Sequence, residues 1–357
     1  MNSYTFLLSD VTKSRALAYM TLLQSTRMPG SYLAAALESI DIKALEFTEF
    51  MRLLISTKKP KIFAESAVSG DGTDWNLDEL GLMGDISVAT PVTVYDNGLH
   101  VHPAVHAQPF SATLLFTPGA LLETGRGGRA ADWDEVVRNG HFDDQGYAAL
   151  YERRLLPVFV HANEVARACG RKAVITVPGL GCGMFAGPYR GKMGAKLLAA
   201  LKALLAKHAQ RLSHVKLIHF DPYQECDNQQ QQFEQTLLRV RPLARGNPKT
   251  PQLCEPQAYA QAGEDFSDCD LFSVVAWDHV SWPGNDFYGG LRATDDGVKA
   301  AATNSMQVMT GVEGRYEPRV QQYCPPAPFR TWEKLVLTQG LTMRVDDSNL
   351  CCIPIEV

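Results

Sequence analysis

Between residues 172 and 212 a buried strand, a glycine-rich turn and a long amphipathic helix follow one another directly, and this succession constrains the fold more than any other feature. Lys172–Val177 (KAVITV) is a compact run of strand length. From about Gly194 to Leu212, the residues Leu197, Leu198, Leu201, Leu204 and Leu205 recur at the spacing of one helical face. A strand that passes straight into such a helix is the repeating unit of a mostly parallel sheet covered on both faces. The same texture predicts further strands at Ile86–Val94, Ala112–Phe116, Val215–Phe220 and Leu271–Ala276. Helices are predicted over Tyr147–Ala168 and Gly297–Met309. The polar, Gln-rich stretch Asn228–Gln235 reads as an exposed loop or helix start. There is no internal repeat at 20 to 50 residues. The expected fold class is α/β.

Residues 10–57 read as helical. Ser9-Asp10 is a plausible capping pair, Pro29-Gly30 breaks the run, and Phe47, Phe50, Leu53 and Leu54 mark a second apolar stripe. The texture changes after Lys58-Lys59-Pro60-Lys61, where Gly, Asp and Thr cluster in SGDGTDWN. The expected organisation is therefore a helical extension over 1–65 and an α/β domain over 66–357. The 357 residues carry a net charge of −5, which argues against a nucleic-acid binder working through a global positive field. The N-terminus lacks a signal-peptide pattern and no apolar run reaches membrane-span length, so no membrane partner is expected. Eight cysteines, with no C-x-x-C pair, point to a reducing, cytoplasmic setting and away from a four-cysteine zinc site.

The turn PGLGCGMFAG places Gly179, Gly181, Gly183 and Gly187 within nine residues. Glycines there permit positive φ and close backbone approach, so that several N–H groups can point at one anion. The spacing matches neither the dinucleotide-binding fingerprint nor the P-loop, and a plain tight connection explains the glycines equally well. The whole string VITVPGLGCGMFAGP, however, resembles the diphosphate-binding loop of macrodomains, and Gly84-Asp85-Ile86-Ser87 resembles their G-D-I-[ST] element. The resemblance spans roughly residues 80–320. It implies a three-layer α/β/α sandwich that binds ADP-ribose, with no cofactor. Asp85 and the amide of Ile86 would hold the adenine, and Gly179, Gly181, Cys182, Gly183, Met184, Phe185 and Ala186 the diphosphate. The N-A-A-N segment that usually contacts the distal ribose is missing; TPGALLETGRGG (Thr117–Gly128) stands in about its place.

The segment DHVSWPGNDFYGGLRATDDG carries the second chemical signal. Asp278 follows a buried strand, which in an open α/β sheet is the ligand-binding edge. It has no obvious local task. Asp286 sits in the turn string Pro283-Gly284-Asn285-Asp286, and Asp295-Asp296 stand where a helix cap would. Together these acids resemble those of a branch of bacterial effector macrodomains that hydrolyse ADP-ribosyl linkages. By position Asp278, Asp286 and Asp296 would carry the chemistry, with Asp295 competing for the last place. The resemblance implies release of ADP-ribose from an arginine side chain of a protein, with ubiquitin as a candidate target and the host cytosol as the setting if the protein is such an effector. The chemistry agrees. Isolated aspartates titrate near ~3.9, so a cluster of them requires a cation or shares a proton. A guanidinium offers bidentate pairing, and a developing oxocarbenium ion is stabilised by a nearby carboxylate. Asp278 and Asp286 are thus expected to contact guanidinium and ribose, and Asp296 to handle water or a proton.

Competing readings are a non-catalytic ADP-ribose reader, which would tolerate loss of the acids, and a metal-dependent hydrolase. The latter could use Mg²⁺ on the acids or the pair His100 and His102, which strand alternation would put on one face. Cys182 could be a nucleophile only if nearby amides lowered its pKa. Arg153-Arg154 and Lys58–Lys61 read as solvated faces. Trp75 and Trp133 could cover a pocket or sit at a partner surface, and Trp282 could either stack on the ligand or pack.

Overall fold

Along the central strands, apolar side chains alternate between two separate cores, and that alternation builds three layers. The computed structural model describes residues 3–25, 27–62, 74–124 and 129–355. The boundary expected between residues 65 and 66, part of SGDGTDWN and the end of the Thr117–Gly128 segment lie outside these residues. Among the described residues one sheet contains β1 (Thr5–Ser9), β2 (Ser87–Asp96), β3 (Val105–Pro118), β4 (Lys172–Pro178), β5 (Val215–Asp221), β6 (Gln229–Phe233), β7 (Thr236–Val240), β8 (Cys269–Trp277) and β9 (Leu350–Ile353). Their spatial order is β9-β1-β2-β3-β8-β4-β5-β7-β6. The stretch β3-β8-β4-β5-β7 is parallel. β2 runs antiparallel to β1 and β3, and β6 antiparallel to β7.

Among the described residues the α-helices are α1 (Asp10–Leu23), α2 (Ser31–Leu37), α3 (Phe47–Ser56), α4 (Leu77–Gly84), α5 (Asp144–Ala168), α6 (Met193–His208), α7 (Asn285–Tyr288), α8 (Asp295–Ala302), α9 (Ser305–Thr310) and α10 (Trp332–Gln339); a further single turn spans Trp133–Val136. On β8, Leu271 and Val275 join one core while Phe272 and Val274 join the other; on β5, Leu217 faces opposite to Ile218 and Phe220. The α5 and α6 helices cover the second face, with Leu155, Leu156, Phe159, Leu197 and Leu201 in its core. The first face is covered by α1, α3, α4 and α8–α10, through Tyr19, Phe50, Met83, Ala301, Met306 and Leu335. The result is the α/β/α sandwich expected from the chain's patterning. Among the described residues no helix is long and apolar enough to cross a membrane.

Several local expectations change. The N-terminal segment contributes a strand as well as helices: β1 lies inside the sheet, between β9 and β2. Ser9 does cap α1, its hydroxyl accepting from the Thr12 N–H at 3.0 Å. The Gln-rich stretch is an edge strand, because β6 pairs with β7 across a turn in which Glu234 has φ 49°. Its Gln229–Gln232 side chains are exposed, so no apolar alternation marks it. The predicted helix 297–309 is two helices. Asn304 breaks it by docking on β2, its Oδ1 accepting from the Thr93 N–H at 2.7 Å. His100 and His102 lie in the β2–β3 connection rather than on a strand, and His106 sits 2.8 Å from the Leu253 carbonyl.

Arg153 and Arg154 are buried, not solvated. Asp85 accepts from Nε of Arg153 at 2.6 Å and of Arg154 at 3.2 Å, and also pairs with Arg15 from α1. Arg154 Nη2 reaches Asp132 at 2.7 Å and its Nη1 the Gly119 carbonyl at 3.0 Å. Burial alone would raise the Asp85 carboxyl, but the three guanidinium groups outweigh it and hold the group below the usual range.

Candidate active site

Because β3, β8 and β4 are adjacent and parallel, the chain segments leaving Pro118, Trp277 and Pro178 emerge together at one edge of the sheet, where open α/β folds bind ligands. The glycine turn after β4 is fitted to its neighbours. Gly181 has φ +67°, and a Cβ there would lie 2.9 Å from both N and O of Ala120. Tyr151 of α5 staples the two segments, its hydroxyl donating to Leu180 O at 2.8 Å and accepting from the Ala120 N–H at 3.1 Å. The Leu122 N–H donates to Phe185 O at 2.8 Å. Gly183 differs: nothing lies within 4 Å of a Cβ built on it. We therefore expect Gly181→Ala to destabilise the fold by ~1–3 kcal/mol through backbone strain and close contact. Gly183→Ala should change stability by no more than ~0.5 kcal/mol. Urea unfolding of the two variants checks this contrast, and equal effects would contradict it.

A cavity of about 330 Å³ runs from this turn to the acidic segment. Gly179, Gly181, Gly183, Met184 and Phe185 line one side; Ala276, Trp277, Asp278, Asn285, Asp286, Thr294, Asp295 and Asp296 line the other. The four acids are held differently. Asp278 does have a local task, contrary to expectation. Its Oδ1 accepts from the N–H groups of Val280 and Ser281, both at 2.8 Å, and its Oδ2 from the Ser281 hydroxyl at 2.6 Å. Asp295 joins the start of α8 to the end of β8, accepting from the Ala276 N–H at 2.7 Å and from the buried Lys299 Nζ at 3.1 Å. Asp286 is buried yet has no hydrogen-bond partner for its carboxylate among the described residues.

Asp296 accepts from the Thr294 hydroxyl at 2.6 Å and has no cation against it among the described residues. Burial pushes its pKa up to about 8, with the charges of Asp278, Asp286 and Asp295 adding to the shift and the Thr294 hydrogen bond opposing it. Thr294, rather than either aspartate, caps α8. The geometry thus separates the two neighbours that sequence could not: Asp295 is neutralised by Lys299, whereas Asp296 holds a proton near neutral pH.

Four carboxyl groups line the cavity; the buried Lys299 ammonium group pairs with Asp295, and the buried Lys58 donates to the carbonyl of His279, the residue after Asp278. The remaining negative charge suits a cationic ligand group, and a planar guanidinium can pair with two carboxylates at once. At the other end, the backbone of the glycine turn suits an anion. Among the described residues, no group of three or more His, Cys, Asp or Glu side chains is arranged to hold a metal ion.

Four residues expected to contact the ligand are not among those that line this cavity. The Asp85 carboxylate is 1% exposed and taken up by arginines beneath the site, and Ile86 is fully buried in the first core. Ala186 is packed in the second core. The Cys182 thiol packs against that same core and turns toward Leu180 O; burial, together with Glu225 and Cys226, raises its pKa, the reverse of what a nucleophile needs. Trp75 and Trp282 are core residues whose indole N–H groups donate to Thr57 Oγ1 and Lys58 O. Sequence reasoning missed Asn285 and Thr294 as lining residues. The turn string and the helix-cap position were the signals available for them.

The sequence model of a family described as Macrodomain effector MavL matches residues 4–329 of this chain. The match begins well before residue 80, near which the resembling motifs start. No curated protein matches the chain.

Proposed function

Because the chain belongs to the MavL family of macrodomain effectors, whose fold implies handling of ADP-ribose, we propose that it is a hydrolase releasing ADP-ribose from a modified arginine side chain of a protein. The observation that carries this reading is the single cavity that joins a glycine-rich turn to a surplus of carboxyl groups. An ADP-ribosyl arginine presents that same pattern: a diphosphate at one end and a guanidinium on the distal ribose at the other.

The reaction adds water across the ribose C1–N bond. Hydroxide from water ends on C1, and the guanidine nitrogen leaves with a proton. Positive charge grows on the ribose as the bond breaks, and carboxylates beside it lower that barrier. Asp278, whose carboxylate accepts from three donors, and Asp286, whose carboxylate has no hydrogen-bond partner among the described residues, would make the guanidinium and ribose contacts. Asp296 retains its proton to about pH 8 and can exchange it with the leaving nitrogen or the water. Asp295 is left as a structural anion paired with Lys299.

Arginine-ADP-ribosylated ubiquitin is the first substrate to test, since the effector branch that the acids resemble supplies that target, and the setting would be a host cytosol. The test compares arginine-linked and glutamate-linked ADP-ribosyl proteins, following free ADP-ribose by mass spectrometry. Release from the arginine linkage is expected. Asp286→Ala should keep ADP-ribose binding by calorimetry yet lose turnover by about 10²-fold or more. Undiminished hydrolysis by that variant refutes the role of Asp286, and binding without release from either linkage by the unaltered protein favours a reader.

A further inference from the structure

We propose that Lys58, carried in by the N-terminal segment, is a positioning residue for the acidic turn: its ammonium group ties down the carbonyl of His279, the residue after Asp278, keeping segment 278–286 aligned on the cavity. This rests on the hydrolase reading above and adds the element that aligns its acids.

Residues 58–62 leave α3 and run as a strap along residues 279–285. The Lys59 N–H donates to Val280 O at 2.9 Å, and the Trp282 N–H donates back to Lys59 O at 2.8 Å, a parallel bridge centred on Lys59 and Ser281. The Trp282 indole N–H donates to Lys58 O at 3.0 Å. At the far end Asn285, itself a cavity residue, accepts from the Ile62 N–H at 2.6 Å and donates to Ile62 O at 2.7 Å. The turn bearing Asp278 and Asp286 is therefore held from behind at both ends by chain from the opposite end of the sequence.

Within the strap Lys58 turns fully inward. It is 2% exposed, its Nζ donates to His279 O, and it lies 4.4 Å from the centre of the Trp277 ring. Burying an ammonium group is costly, and a methionine would fill the same space without that cost. What methionine cannot do is grip a carbonyl and balance a carboxylate. Burial lowers the Lys58 pKa to about 7 and Asp278 opposes that shift, so the two groups act on each other.

Lys58→Met and Lys59→Met are compared with the unaltered chain. For K58M the turnover number on arginine-linked substrate should fall by ~10- to 100-fold through misalignment, while the affinity for free ADP-ribose stays within about threefold. K59M, whose ammonium lies over the Tyr32 ring, should change neither. Unchanged turnover in K58M, or an equal loss of affinity and turnover, overturns the proposal. A second measurement needs no turnover and serves if K58M fails to fold. In protein with isotope-labelled lysine, the Lys58 ammonium should titrate lower by about half a unit or more in Asp278→Asn than in the unaltered chain, because the opposing charge is gone. Identical titrations overturn the pairing. Should the unaltered protein release ADP-ribose from no linkage, the hydrolase reading falls, and the titration alone judges whether Lys58 and Asp278 are coupled.

Discussion

Asp296→Asn should lower release of ADP-ribose from arginine-linked substrate by about 10²–10⁴-fold while making the protein harder to unfold at pH 8. Both effects have one origin. Asp296 is buried beside three other acids, and burial first, then those charges, lifts its pKa to about 8. In the unfolded chain the group titrates near ~3.9. Between those values the folded state holds a proton that the unfolded state has lost, so this residue's contribution to stability declines as pH rises through the window. Asparagine does not ionise and keeps an oxygen for the Thr294 hydroxyl. The stabilisation should therefore be largest at pH 8 and vanish near pH 4. On the proposed hydrolase reading, turnover of the unaltered protein should fall as pH rises through about 8, where Asp296 would give up the proton it contributes. Asp295→Asn should differ in sign on stability, since it takes the carboxylate from the buried Lys299. Urea midpoints and initial rates at pH 5 and pH 8 test the pair. Full activity in Asp296→Asn would remove that residue from the chemistry.

What could be read from the chain beforehand was whatever leaves a local trace. The strand Lys172–Pro178, its glycine turn and the helix Met193–His208 each carry their own period, and they sit within a few residues of the expected bounds. That Asp278, Asp286 and Asp296 line one cavity was legible for the same reason: a strand end, a turn string and a helix start place them locally, at one edge of the sheet. What was not legible depended on partners far along the chain. Gly84-Asp85-Ile86-Ser87 has the right letters, but Asp85 is enclosed by guanidinium groups from Arg15, Arg153 and Arg154. Lys58-Lys59-Pro60-Lys61 looks solvated because nothing nearby reports that residues 279–285 will cover it. The Gln229–Phe233 edge strand lacks an apolar face, so only its pairing with Thr236–Val240 identifies it.

Removing the Arg154 guanidinium should be among the most damaging changes to the fold. Asp132 and Asp85 are both inaccessible, and Arg154→Met leaves Asp132 without its arginine, with the Leu121 N–H at 2.7 Å and the His279 ring at 3.2 Å as its remaining partners. Stranding one half of a buried ion pair typically costs ~3–5 kcal/mol. By contrast Arg129→Ala breaks an exposed pair with Asp134, which should matter by less than ~1 kcal/mol. Urea unfolding of the two variants at pH 7 measures the difference, and similar midpoints would mean that the buried network adds little. The acid side of the stability profile gives a second sign. Burial would raise the Asp132 carboxyl, but Arg154 and then His279 pull it well below the usual range. Its contribution is therefore present above about pH 4 and lost as pH falls further, toward the folded value. Arg154→Met should flatten that acid loss. The same arginine also reaches the site, because it holds Gly119 O at 3.0 Å while Asp132 accepts from the Leu121 N–H at 2.7 Å. Those contacts press residues 119–121 against the glycine turn, where a Cβ on Gly119 would meet the Gly181 nitrogen at 2.5 Å. Arg154→Met should thus weaken ADP-ribose binding even at temperatures where the chain stays folded, whereas Arg129→Ala should not.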